Sequence, residues 1–213
     1  MSEKDAARDV RIVEIAAAVL LALAAVASAW SGYQSARWSG IQAISFSEAN
    51  AARLESTRAS TRAGQLTQVD IGMFLTWAEA YSEKNAVLDR FLFDRFRPPM
   101  KEAVEAWVAT RPLLNPDAPP SPFAMDEYRV PEQEEAAALE ESATAAVERA
   151  KESNQRSDNY VLAVVLFASS LFFAGISTKF TGTRVRIAVL ALGWVFFLGT
   201  AAWVASFPVT VAV

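Results

Sequence analysis

The sequence predicts an all-α integral membrane protein with three transmembrane helices and a helical domain between the first and the second. Three apolar windows have the length of about 20 residues that a helix needs to cross a hydrocarbon core roughly 30 Å thick. All 24 acidic residues lie between Glu3 and Asp158, so the last 55 positions carry only three charged side chains, all basic. Eight of the nine prolines fall between Pro98 and Pro131. Together these observations distinguish the membrane helices from a domain between the first and the second of them, which consists of a helical part, a proline-rich loop and a return helix.

The first predicted membrane helix covers residues 12–30 and follows a short tail, residues 1–11. Basic residues before the apolar run and the sequence Ala27-Ser28-Ala29 at its end also fit a cleavable secretory signal. We favour an uncleaved anchor, because the run is long for a signal core and no proline follows it before Pro98.

Two further membrane helices are predicted at residues 160–178 and 187–207. A short loop, residues 179–186, joins them, and a C-terminal tail, residues 208–213, follows. Lys and Arg near membrane ends concentrate on the cytoplasmic side. The N-terminal tail and the loop together carry six such residues, against four at the ends of the intervening domain. We therefore expect the N-terminus and the loop in the cytoplasm and the domain outside. The six are Lys4, Arg8, Arg11, Lys179, Arg184 and Arg186, and the four are Arg37, Arg149, Lys151 and Arg156.

The extracytoplasmic domain is predicted to occupy residues 31–159, with a proline-rich loop at 112–131 and a shorter helix at 101–111. Proline followed by acidic residues is typical of a helix start, because the helix dipole favours negative charge in the first turn. Pro131 has this pattern, and nothing after it stops the return helix before the second span.

Helix lengths predict how the first part of this domain folds. As one helix, residues 33–97 would be about 97 Å long, whereas the return helix before the membrane would cover about 43 Å. We therefore expect a fold-back near Gly64, which would give a bundle of matched helices. A single long rod is the alternative.

An uncharged, mostly small-residue series runs along the first helix at alternating spacings of three and four. We call it the uncharged series. With Leu139, Ala143, Ala146 and Ala150 of the return helix, it is predicted to be a seam of close helix packing. The alternative is that an alanine- and serine-rich chain produces such a series by chance. Its members are Ile12, Ile15, Val19, Ala22, Val26, Ala29, Tyr33, Ala36, Gly40, Ala43, Ser47, Asn50, Leu54, Thr57, Thr61 and Gly64.

Bulky side chains between residues 66 and 96 share one helical face and are predicted to form the core of the domain. For the aromatic and basic stretch at 91–97, contact with lipid headgroups is the alternative. The bulky residues are Leu66, Val69, Met73, Trp77, Tyr81, Leu88, Phe91 and Leu92.

Four polar residues are candidates for lining a path or for helix packing. Glu14 is the only ionisable residue inside a predicted span, which makes it a candidate ion or proton site. It also lies close enough to the cytoplasmic end to reach headgroup water or to pair with Arg11. Gln34, Gln42 and Asn50 lie farther along the same helix.

Two tryptophans mark a short repeat at the membrane exit. Trp30-Ser31-Gly32-Tyr33-Gln34-Ser35 is followed by Trp38-Ser39-Gly40-Ile41-Gln42-Ala43. Tryptophan is enriched at membrane interfaces, so Trp30 and Trp38 are predicted interface anchors.

The composition narrows the chemistry. The chain has no cysteine and no histidine, which removes thiolate chemistry, the commonest metal ligand and the usual general base near neutral pH. The acidic pair Glu79 and Glu83 is only a weak metal signal. We expect no enzymatic activity, no catalytic residue, no cofactor and no metal. Nucleic-acid binding conflicts with 14 basic against 20 acidic residues in the domain.

Through Trp30-Ser31-Gly32-Tyr33-Gln34 and its one-plus-two arrangement of membrane helices, the chain resembles small uncharacterised bacterial membrane proteins. The resemblance implies a multi-pass protein of the bacterial inner membrane and implies no activity. The leading hypothesis is a non-enzymatic membrane protein that self-assembles into a homo-oligomer or docks an unidentified protein partner. The alternative is a subunit of an oligomeric ion channel or transporter in which helix 1 lines the path.

Overall fold

A computed structural model describes the backbone of residues 3–211 and the side chains of residues 11–211. Lys4 and Arg8 of the predicted N-terminal tail, and the last two residues of the predicted C-terminal tail, lie outside the described side chains. Five α-helices occupy the described range, together with one 3-10 turn and no strand. The helices are α1 (Glu3–Ser82), α2 (Ala86–Phe93), α3 (Pro98–Ala109), α4 (Pro131–Ser177) and α5 (Thr183–Val204), and the turn is Pro122–Ala124.

The predicted all-α class with three candidate membrane spans is confirmed. By length and composition, α1, α4 and α5 can each cross a membrane. The return helix begins at Pro131 and runs unbroken into the second span, as expected. The chain divides into two compact units: a first unit of Met1–Ser47 with Ala146–Val213, and a second unit of Glu48–Ala145.

The first unit packs parts of α1, α4 and α5 through small residues. Gly193 of α5 is the tightest point, because a Cβ there would lie 3.1 Å from Leu20 Cδ2, 3.2 Å from Phe173 Cβ and 3.4 Å from the Ser170 carbonyl oxygen. Such proximity is how helices approach when side chains at the crossing are small. The buried stripe on α1 consists of Val13, Ala17, Leu20, Ala24, Ser31, Gln34, Trp38 and Ser45, and that on α4 of Ala146, Ala150, Ser153, Ser157, Tyr160, Ala163, Phe167, Ser170, Ala174 and Ser177.

The packing seam predicted on α1 is wrong in register. All members of the uncharged series are exposed, whereas the buried stripe lies on the other side of the helix. Ala43 of the series and Ser45 of the stripe are two residues apart, which is about 200° around a helix. The matching prediction on the return helix is confirmed for Ala143, Ala146 and Ala150, which are buried.

The second unit has an aromatic core between the end of α1 and the segment that follows it. Phe74, Trp77, Phe96, Met100 and Val104 are buried together. Two indole N–H groups tie the connecting segments to this core, which satisfies buried donors. The Trp77 indole donates to Asp89 Oδ1 at 2.6 Å, and the Trp107 indole donates to the Pro119 carbonyl oxygen at 2.7 Å.

The fold-back predicted at Gly64 is also wrong, since α1 continues through it to Ser82. A glycine inside a helix costs about 1 kcal/mol relative to alanine, which packing can offset, and no glycine has a positive φ in the part of the chain described. The helix ends instead at Ser82. Just beyond it, Lys84 has a φ of 60°, and the Asn85 N–H donates to the Ala80 carbonyl oxygen at 2.9 Å. This is a helix-terminating geometry that usually uses glycine.

The difference in length between α1 and the return helix had suggested a fold-back. Residues 98–130 instead connect the far end of the long helix to the start of the shorter one. The predicted short helix appears as α3, and the proline-rich segment after it contains the turn Pro122–Ala124. Both pack beside the last turns of α1, since the Phe74 ring lies 5.5 Å from the Trp107 ring and 5.6 Å from the Phe123 ring.

The predicted bulky core face is only partly correct. Trp77 is buried, but Val69, Tyr81, Leu88 and Phe91 are exposed. The buried face of α1 in this unit consists of four alanines, one acidic residue and two aromatic residues. Its members are Ala49, Ala59, Ala63, Asp70, Phe74, Trp77 and Ala80.

Candidate functional site

A serine cluster joins α1 to α4 in the first unit. The Ser157 hydroxyl donates to the Ser35 carbonyl oxygen at 3.1 Å, and its oxygen lies 3.0 Å from Ser35 Oγ and 2.9 Å from Ser39 Oγ. A hydroxyl has one proton and two lone pairs, so Ser35 and Ser39 can both donate to Ser157. Beside this cluster the Arg156 guanidinium lies 4.5 Å from the Trp38 ring centre. These hydrogen bonds tie α1 to α4 inside the first unit.

The segment after α5 is held against α1 by Gln34. Its Nε2 donates to the Thr210 carbonyl oxygen at 3.0 Å, and the Thr210 N–H donates to its Oε1 at 3.0 Å. The Tyr160 hydroxyl donates to the Pro208 carbonyl oxygen at 3.2 Å. Gln34 and Tyr160 are fully buried, so these bonds satisfy polar groups that have no access to water.

Glu14 is paired with Arg186 and not with Arg11. The Arg186 Nη2 donates to Glu14 Oε1 at 3.2 Å, which links the first turns of the two spans. Arg186 is only 8% exposed, and its Nε has no hydrogen-bond partner among the residues described. The Glu14 side chain is 58% exposed, so only Arg186 would be left buried and uncompensated if its partner were removed. The pair therefore serves to join the helix ends.

A buried carboxylate organises the second unit. Asp70 is fully buried, and Arg97 donates to it through Nε to Oδ1 at 3.1 Å and through Nη2 to Oδ2 at 2.6 Å. The Tyr128 hydroxyl donates to Oδ2 at 2.9 Å and lies 3.4 Å from Thr67 Oγ1. The hydrogen bond to Asp70 raises the pKa of Arg97, with burial opposing it. Burial raises the pKa of Tyr128 above its ordinary value.

The hydrogen bonds of Asp70 tie separate segments of the second unit together. Both of its oxygens accept from charged or phenolic donors. Within residues 11–211, no three acidic side chains converge as a metal ion would require. The network therefore acts as an internal clamp between α1, the start of α3 and the segment before α4.

The exposed face of α1 is the surface feature that the folded chain leaves unexplained. A helix packed on one side normally carries charge on the opposite side. Along residues 33–64, however, the centre of the exposed side is the uncharged series, and charged residues only flank it. In the first unit this face presents Ala36, Gly40, Ala43 and Ser47, and a Cβ added at Gly40 would meet nothing within 4 Å.

The predicted site residues are distributed over different environments. Gln34 is buried and fully hydrogen bonded, Gln42 is half-buried, and Asn50 is exposed. Of the predicted interface anchors, Trp30 is exposed and stands 5.8 Å from the Tyr33 ring. Trp38 is buried, with the Arg156 guanidinium over its ring, and its role as an anchor stays a prediction.

The sequence did not predict the hydrogen-bond network around Asp70. Asp70, Arg97 and Tyr128 come together from positions 27 and 58 residues apart, and no local pattern marks them. One signal was present for Asp70, since it lies in step with Ala59, Ala63, Phe74 and Trp77 on one side of α1.

No protein-family model, curated protein or solved structure matches this chain. Its role must therefore be inferred from its own residues.

Proposed function

We propose that this chain is a non-enzymatic integral membrane protein of the bacterial inner membrane that self-associates along the uncharged series of α1. The observation that carries the proposal is the exposure of every member of that series. The occupant we assign to this face is α1 of a second copy, because the face is self-complementary in size and in lack of charge.

Small residues at the centre of the face favour close approach of two helices. Ala36, Gly40, Ala43 and Ser47 follow one another at spacings of four, three and four. Small residues with this spacing let backbones come within van der Waals contact, in membranes and at their borders. Leu54, on the same series in the second unit, is an exposed large apolar side chain and would gain burial in such a contact.

Charged residues flank the face and do not interrupt it. When the series occupies positions a and d of a heptad, Arg37, Arg53 and Arg58 fall at the flanking e and g positions. All three are basic, so the proposed contact depends on the small uncharged centre of the face and not on interhelical ion pairs.

A channel lined by α1 has weaker support. Of the polar residues that would line its path, Gln34 is enclosed in the first unit and Glu14 is paired with Arg186. Asn50 alone lies on the exposed series. Conduction by proteoliposomes that responds to Asn50→Leu would favour the channel.

For orientation, we propose that the second unit lies outside the cytoplasm. The rule that Lys and Arg near membrane ends concentrate in the cytoplasm supports this orientation. Among the residues whose side chains are described, the cytoplasmic side would carry Arg11, Lys179, Arg184 and Arg186. Arg186 is paired with Glu14, but acidic residues contribute little to the rule, so Arg186 still counts. The absence of native cysteine permits a direct test with single-cysteine variants. In spheroplasts, a membrane-impermeant maleimide should label Leu114→Cys at once and Lys179→Cys only after lysis; the reverse pattern inverts the proposed orientation.

The self-association is tested by the molecular mass of the full chain in detergent, measured by light scattering across a concentration series. We expect a dimer or larger assembly. Gly40→Leu with Ala43→Leu should weaken association about tenfold or more, which is about 1.4 kcal/mol. Gln42→Leu, at a half-buried position on the same helix and about 100° or more from Ala36, Gly40, Ala43 and Ser47, is the matched control. A monomer at every concentration would refute self-association, and a monomer that recovers one specific protein from native membranes would favour a docking role.

A further inference from the structure

The first unit contains a small apolar cavity at the level where its three spans end on the same side. It encloses about 240 Å³, which is below the roughly 300–1,000 Å³ of sites for complete small-molecule ligands. A space of this size fits one end of an extended chain. Its lining includes Ala27, Trp30, Ser31, Tyr160, Ala201 and Val209.

One hydroxyl in this cavity has no partner. Ser31 is fully buried, and its Oγ makes no hydrogen bond to any residue described. Leaving a buried hydroxyl unsatisfied is unfavourable, so native structures usually supply a partner. The rest of the lining offers little, since the Tyr160 hydroxyl is already engaged by the Pro208 carbonyl oxygen. The lining therefore fits a ligand that is apolar and carries a hydrogen-bond acceptor.

The depth of the cavity identifies such a ligand. Trp30 ends the first predicted span, Tyr160 begins the second, and Ala201 and Val209 come from the last turns of α5 and the segment after it. Aromatic residues at span ends sit at the headgroup level of a bilayer. Lipid ester carbonyls lie at that level, immediately above the acyl chains. Trp30 and Val209 are exposed, so the cavity reaches the surface of the unit.

We propose that this cavity binds the ester end of one membrane phospholipid, with Ser31 Oγ donating a hydrogen bond to an ester carbonyl and the upper acyl chain filling the apolar space. The inference rests on membrane insertion of the three spans and is independent of self-association. It assigns Ser31 a ligand-binding role that its place in the tryptophan repeat does not suggest.

Two phospholipids that differ only in the acceptor test the proposal. The full chain, delipidated in detergent, is titrated with palmitoyl-oleoyl phosphatidylglycerol and with a diether analogue of the same chains, and the first binding event is followed by native mass spectrometry. Wild type should bind the diester about three- to tenfold more tightly, the ratio that one net hydrogen bond supplies. Ser31→Ala should remove this preference while leaving diether binding unchanged.

A second pair of variants tests the cavity itself. Ala201→Phe fills the space and should weaken both lipids about tenfold or more, whereas Ala202→Phe, exposed on the neighbouring position, should not. Equal affinity of wild type for the two lipids, or a diester preference that survives Ser31→Ala, would overturn the proposal. If the chain is absent from the membrane fraction, the proposed function fails too; if it is present but shows no preference, only the lipid site fails.

Discussion

Gln34 and Thr210 are joined by two hydrogen bonds, although 176 positions separate them in the chain. The side-chain amide of Gln34 uses its donor and its acceptor on the backbone carbonyl oxygen and N–H of the same residue. This reciprocal contact fixes the segment after α5 against α1 and accounts for the full burial of Gln34. It explains why a polar residue that looked suited to a water-filled path is part of the interior.

The first prediction concerns this contact. Gln34→Leu keeps the size of the side chain but leaves the Thr210 backbone groups without these partners. Thermal unfolding in detergent should show a loss of about 1–3 kcal/mol, and limited proteolysis should release the segment after residue 205. Gln42→Leu, at a half-buried position on the same helix, is the matched control and should change stability less. Equal effects of the two substitutions would contradict the assigned role of Gln34.

The second prediction concerns the ion pair of the second unit. Asp70 is fully buried, while the Arg97 side chain is 26% exposed. Removing the arginine therefore leaves a buried carboxylate without its ion pair, which costs more than leaving a partly exposed arginine unpaired. Arg97→Leu should destabilise this unit by about 3–5 kcal/mol, measured by denaturant unfolding with tryptophan fluorescence. Adding Asp70→Leu should recover part of that loss in stability.

The control is an exposed ion pair. Lys151→Leu breaks the pair with Glu148 and should lower the free energy of unfolding by about 1 kcal/mol or less. No recovery in the double variant would contradict the explanation.

The third prediction concerns alkaline pH. Burial raises the pKa of Tyr128 above its ordinary value of 10.0, so the folded chain holds the phenolic proton more tightly than the unfolded chain. The resulting stability is complete below about pH 10 and is lost as the pH rises through the raised value. Denaturant unfolding between pH 9 and pH 12 should therefore show a decline that is shallower in Tyr128→Phe. An identical slope in both proteins would show that Tyr128 does not contribute.

The fourth prediction concerns the tightest helix crossing of the first unit. In Gly193→Ala the new Cβ would lie 3.1 Å from Leu20 Cδ2, so the helices must separate and stability should fall by about 1–3 kcal/mol. Gly199→Ala is the control on the same helix, because a Cβ there meets nothing within 4 Å. It should be neutral or stabilising, since alanine favours helix by up to about 1 kcal/mol over glycine. Thermal unfolding in detergent distinguishes the two, and equal changes would argue against close packing at Gly193.

The sequence was sufficient for those features that depend on one helix at a time. Apolar windows predicted the three candidate spans, and Pro131 with its acidic first turn predicted the start of α4. Side-chain volume and spacing also predicted burial of Ala143, Ala146 and Ala150. These features depend on hydropathy and on local backbone chemistry, which a single sequence records.

Features that depend on the choice between equivalent faces were not predictable. On α1 two faces lack charge as far as Asp70, so absence of charge did not show which one packs inside the chain. The end of α1 was missed because Lys84 takes the left-handed conformation that glycine usually supplies. The pairing of Asp70 with Arg97 depends on how α3 returns to α1, which no local pattern encodes.

Cysteine cross-linking of α1 in native membranes tests the central claim most directly. The chain has no cysteine, so single variants at Ala36, Gly40, Ala43 and Ser47 can be treated with a short bis-maleimide and compared with Gln42→Cys, about 100° or more around the helix from each of them. We expect covalent dimers from at least one of the four positions and none from Gln42→Cys. Absence of dimers at all four positions, or equal dimer yield at Gln42, would contradict self-association along the uncharged series.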